Sequence, residues 1–100
     1  MKKAEKIAIK LRDKFREYND FIGLYLYGSQ VTGKAKKDSD IDIVGVFKNN
    51  KDFDSSISME ILNLNLDFNV VVDFQRMTLS CLKNDPTYFN EVKKGIYYAR

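Results

Sequence analysis

One hundred residues, 44% hydrophobic and 31% charged, suit one globular domain with a single core and argue against disorder. The chain has no histidine and one cysteine, Cys81, which excludes Ser-His and Cys-His catalysis, histidine-built zinc sites and any internal disulfide. Net charge is +3, with ten Lys and Arg in the first 37 residues beside seven acids in the first 42; that balance reads as a solvated helix face and a basic loop more than a nucleic-acid surface.

Ile7, Leu11, Phe15 and Tyr18 recur at helical spacing with Lys and Arg opposite, which predicts an amphipathic helix over 2–18 covering one face of a sheet. Asn19 and Asp20 end it. Phe21 to Tyr27, apolar and aromatic, predicts an interior strand. Gly28 and Ser29 close that run. The glycine lets the backbone turn sharply and approach a ligand, and a helical turn after it would present N–H groups and the Ser29 hydroxyl to a phosphate. Gln30 to Lys37 is expected to begin as a short helix and finish as a mobile basic loop.

Asp40 to Phe47 predicts a second strand. Residues two apart share a strand face, so Ile41 and Ile43 turn to the core while Asp40 and Asp42 project together on the other side. Adjacent carboxylates repel, and a divalent cation relieves that. Magnesium is the natural guest, because one or two carboxylates and substrate phosphates commonly complete its octahedron. With no histidine to activate it, Ser29 reads as a phosphate ligand and not a nucleophile.

Lys48 to Lys51 reads as a turn. Across Ser55 to Phe68, Ile57, Ile61, Leu64 and Phe68 fit a helix face, yet 62–70 alternates with period two as a strand would. A cap from Asp52 or Asp54 and the helix-forming run Met59 to Leu62 favour the helix. Val70 to Phe74 predicts a third strand and carries Asp73 amid apolar residues, where a charge is costly unless paired or bound to metal. Neighbouring strands lie ~4.8 Å apart, so this strand can bring Asp73 to Asp40 and Asp42. The plainer reading puts Asp73 on a solvent-facing side, and Asp67 is the substitute third acid. Thr78 suits the cap of a short helix through Lys83, and Pro86 the first turn of another, Thr87 to Lys94. Gly95 ends that helix, and Ile96 to Ala99 is expected as a short strand or docking tail. Tyr88, Phe89, Tyr97 and Tyr98 read as core or interface.

No apolar run approaches the ~20 residues of a membrane span, and Lys2-Lys3 precedes no signal-peptide core, so a cytoplasmic protein is expected.

Gly28-Ser29, ten residues, then Asp40-Ile41-Asp42, with Tyr27 before the glycine, Gly33 between and Ser39 before the first aspartate, resembles the signature of nucleotidyltransferases of the DNA polymerase beta type. It looks most like the minimal nucleotidyltransferases of bacteria and archaea. The resemblance implies an α/β (α+β) fold, a small mixed β-sheet covered by helices, as a single domain over 1–100. It also implies transfer of AMP from ATP, with Gly28 and Ser29 on the outer phosphates and Asp40, Asp42 and Asp73 on Mg2+. Asp73 would take the acceptor's proton or help place a second ion. Many members carry Ala-Arg-Gly where this sequence has Val31-Thr32-Gly33, so a basic residue for the triphosphate is missing; Lys34, Lys36 or Lys37 is the expected replacement.

Larger relatives add a domain that holds the acceptor, and 100 residues leave no room for one. The acceptor is therefore expected from another protein. Minimal nucleotidyltransferases often accompany HEPN-domain proteins, several of them RNase toxins, so the resemblance implies an antitoxin that modifies a partner tyrosine. The alternatives are a catalytically silent protein of this fold acting as a binding antitoxin or scaffold, and a transferase acting on a small molecule. RNA binding through lysines and tyrosines lacks the ribonucleoprotein-type aromatic motif.

Overall fold

A computed structural model of the chain describes residues 2–33, 40–49 and 55–100. Helix α1 (Lys3–Phe15) leads into β1 (Phe21–Tyr27), the one-turn α2 (Ser29–Thr32), β2 (Ile41–Phe47), α3 (Ser55–Phe68) and β3 (Val72–Met77). Then come α4 (Leu79–Lys83), α5 (Pro86–Lys93) and β4 (Ile96–Ala99). The sheet order is β3-β2-β1-β4, with β1 antiparallel to β2 and β4, and β2 parallel to β3. A parallel pair needs a crossover, and α3 supplies it. The expected small mixed sheet covered by helices is the observed architecture. Ile96 to Ala99 is a strand of that sheet.

Period-two alternation divides the side chains between two cores. Leu24, Leu26, Ile41, Ile43 and Phe47 meet α1 through Ile7, Leu11 and Phe15, and α3 through Ile57 and Leu64. On the opposite face Val44 and Val46 pack with Leu82 of α4 and Val92 of α5, bordered by Tyr25 and Tyr27. Asp42 shares the parity of Val44 and Val46, so it belongs to the α4 and α5 face.

Residues 55–68 are helical as expected, and the alternation within them is paid in exposure: Leu62 and Leu66 stand out at 47% and 71%. The helix stops at Asn69, whose φ of 53° is a left-handed conformation that asparagine tolerates. The Val70 N–H still bonds the Asn65 carbonyl at 3.1 Å, and the Asn65 side chain accepts the Val72 N–H at 3.0 Å. The third strand therefore begins at Val72, two residues later than the apolar run suggests, and continues to Met77. Thr78 Oγ1 accepts the Cys81 N–H at 3.2 Å, as its cap position predicts. Asp85 accepts the Tyr88 N–H at 3.1 Å, with Pro86 in the first turn of α5. Asp52 and Asp54, expected as caps of α3, and the far side of the 48–51 turn lie outside the described residues.

Candidate active site

Gly28, Ser29, Asp40, Asp42 and Asp73 lie at the end of the sheet where β1 finishes and β2 and β3 begin. Asp42 is in register with Tyr27 across the antiparallel ladder and with Asp73 across the parallel one. Residues level on adjacent strands present the same face, so the two carboxylates sit side by side, with Asp42 half-buried and Asp73 exposed. Gly28 follows Tyr27 with φ 80°, and a Cβ on it would run into the Asp42 carboxylate. Both the left-handed backbone and the close approach require glycine here. Half-buried Ser29 then opens α2, whose Val31 and Thr32 N–H groups return to the Gly28 carbonyl at 3.1 and 3.2 Å.

Asp40 lies one residue ahead of β2 and is exposed. Among the described residues no three acidic side chains gather closely enough to cage an ion, so the expected convergence of three carboxylates is narrower. Asp42 and Asp73 are the facing pair, and Asp40 flanks them because it sits outside the ladder that fixes the other two. Asp67, the substitute acid, lines a groove of about 550 Å³ between α1 and α3 with Lys10, Asp13, Lys14 and Glu60. That groove is on the other side of the sheet, which removes Asp67 from the site. Lys34, Lys36 and Lys37 lie outside the described residues.

The polymerase beta nucleotidyltransferase family model matches residues 9–96. The chain belongs to that family. Among solved structures, a candidate nucleotidyltransferase from Sulfolobus solfataricus is similar, with a TM-score of 0.52 and 20% identity, covering 97% of this chain and 86% of that one. At that identity the likeness speaks for the fold alone. No curated protein matches the chain. Nucleotidyl transfer is the general activity that this family's domain supports. Among the described residues no helix is long and apolar enough to cross a membrane.

In this nucleotidyltransferase domain the electrostatics of the acid pair are lopsided. Burial, then the neighbouring charges of Asp73 and Asp40, push Asp42 above the usual carboxylate range. Among the described residues no Lys or Arg pairs with Asp42 or Asp73. An all-oxygen pair of this kind suits a hard divalent ion whose shell phosphate oxygens complete.

Two phenols border the pair. Tyr27 Oη and Tyr88 Oη are 2.8 Å apart, their rings edge to face with centroids 5.9 Å apart. Burial first, and then its bond to Tyr88, raises the pKa of Tyr27. Burial also raises that of Tyr88, against a lowering by the Tyr27 bond. The charges of Asp42 and Asp73 push both upward. The sequence context of Tyr88 points to core or interface, and it does pack against the Val44, Val46, Leu82 and Val92 cluster. Nothing local distinguishes it, because only the docking of α5 on the sheet carries it to the acids.

Proposed function

We propose that this domain transfers AMP from ATP to a tyrosine hydroxyl of a HEPN-domain partner and thereby acts as its antitoxin. Asp42 and Asp73, with Asp40 beside them, hold Mg2+, while Gly28 and Ser29 receive the outer phosphates. The observation that carries this reading is the register setting Asp42 level with Asp73, together with the Gly28 turn packed on Asp42. Bound there, the ion would offset phosphate charge and stabilise the attacking and leaving oxygens of an in-line displacement. The bare backbone of Gly28 lets a phosphate come close, and the Ser29 hydroxyl donates to one of its oxygens. Lys34 adds positive charge for the triphosphate. Asp73, the more exposed acid, accepts the proton leaving the acceptor hydroxyl. Docking of the partner supplies the orientation that otherwise requires an acceptor-binding domain.

The domain on its own is expected to bind nucleotide and turn it over slowly. Mixed with its HEPN partner, ATP and Mg2+, it should add AMP to the partner, read by intact mass. Asp42→Asn should abolish the mass gain while the complex survives, because the change removes a metal ligand and leaves the interface alone. A partner neutralised without any mass gain, by wild type and Asp42→Asn alike, would establish the catalytically silent binding antitoxin instead.

A further inference from the structure

We infer that the Tyr27 and Tyr88 hydroxyl pair belongs to the nucleotide site, its spare O–H donating to a non-bridging phosphate oxygen of the triphosphate beside Asp42 and Asp73. This rests on the proposed placement of the triphosphate at that end of the sheet. The two hydroxyls hold two protons, and the 2.8 Å bond between them uses one. Whichever phenol donates, the other keeps an O–H, and among the described residues neither hydroxyl has a further partner. Both residues are half-buried, so the spare O–H is open to a ligand in this corner. Packing alone would be met by phenylalanine, which makes the same edge-to-face contact without a polar group to desolvate.

Position and chemistry say what the donor serves. Tyr27 is level with Asp42 on the adjoining strand, and Tyr88 stands in the first turn of α5, which Asp85 and Pro86 fix in place. The pair therefore borders the acids on a rigid element. A carboxylate that holds an ion keeps spare lone pairs, but the triphosphate placed beside Asp42 brings several more non-bridging oxygens to this corner, and one of these is the acceptor assigned to the spare O–H. A phenol is neutral around pH 7, and it can face an anion there without changing the charge balance that the ion and acids set.

The test is calorimetric titration of Mg·ATP, and separately of Mn2+ alone, into wild type, Tyr27→Phe, Tyr88→Phe and the double variant. Losing the hydroxyl that reaches the phosphate should weaken Mg·ATP about ten- to a hundredfold, the scale of one lost hydrogen bond to a charged group, and the other single change should weaken it less. The double variant should lose no more than the weaker-binding single one, because only one hydroxyl of the pair reaches the phosphate. Mn2+ affinity should hold, and the melting temperature should stay within about 2 °C. Phe variants that bind Mg·ATP like wild type overturn the inference. So do losses that track a falling melting temperature and weaken Mn2+ equally, which would make the pair a support of the fold. A wild type that fails to bind Mg·ATP at all removes the proposed function, and this inference with it.

Discussion

Asp42 is a carboxylate whose own fold works against its charge. Burial, Asp73 and Asp40 raise its pKa in the folded state, so the folded protein holds a proton at pH values where the unfolded chain has lost it. Stability of the metal-free domain should therefore rise as pH falls through that window, and decline as pH rises through the folded pKa. Asp42→Asn removes the penalty. It is expected to melt roughly 2–4 °C higher than wild type at pH 7 without metal, solvent screening keeping the gain well below that of a buried charge. The difference should shrink toward pH ~3, where the wild-type side chain is protonated as well. A variant that melts lower at pH 7 would mean that the native carboxylate has a favourable partner. Gly28→Ala tests the same corner from the other strand. Its φ of 80° with ψ of −151° lies in a region kept almost wholly to glycine and costs an alanine about 1–3 kcal/mol, and the new methyl group displaces the carboxylate, so Mn2+ affinity should drop along with stability. Stability lost with Mn2+ affinity intact would separate the turn from the acid pair.

Between elements, a buried polar tie lies at the far end of the sheet from the acids. Arg76 of β3 donates from Nη2 to Asp20 Oδ2 at 2.7 Å, with both side chains about nine-tenths buried. Its guanidinium lies over the Phe47 ring at 3.9 Å, so one side chain binds β3 to β2 and to the turn after α1. Among the described residues Nε and Nη1 find no acceptor, which leaves Asp20 as the main compensation there for a buried charge. Asp20→Ala should cost about 3 kcal/mol in urea unfolding, and adding Arg76→Met should recover part of that, because a buried charge without a partner is worse than none. Strictly additive costs would contradict this account. Such ties also mark where sequence reading stops. The helix over 55–68, the Gly28 turn and the facing of Asp42 away from Ile41 and Ile43 were legible because period and turn chemistry act over a few residues. The start of β3 was not, since Asn65 delays it through a side-chain bond seven residues ahead. The roles of Tyr88 and Arg76 depend on partners 61 and 56 residues away, and no local pattern carries that information.

For the molecule as a whole, β4 closes the sheet against β1, and Arg100 seals the closure by donating to the carbonyls of Arg16, Tyr18 and Phe21 at 2.7 to 3.0 Å. Arg100→Ala should raise amide exchange in β4 and leave β2 protected, since the inner strands keep their own neighbours. Equal loss of protection in β2 would show that the sheet opens as one unit. Ligand binding reads out at this scale too. ATP with Mg2+ should raise the melting temperature more than either alone, because the nucleotide and the ion complete each other's contacts; an equal shift in EDTA would point to a nucleotide site that does not use the aspartates. The parallel register of β2 and β3 has a consequence for how such a chain can vary in length. Asp73 stands opposite Asp42 because Val72 and Phe74 on either side of it face the α1 and α3 core. A residue inserted in the connection over 48–54 leaves that alternation untouched, whereas one inserted inside β3 turns a carboxylate toward the core and a phenylalanine toward the acids. Insertions and deletions in this domain should therefore accumulate in its connections, with the phase of β3 guarded by the oily side chains beside the carboxylate and not by the carboxylate itself.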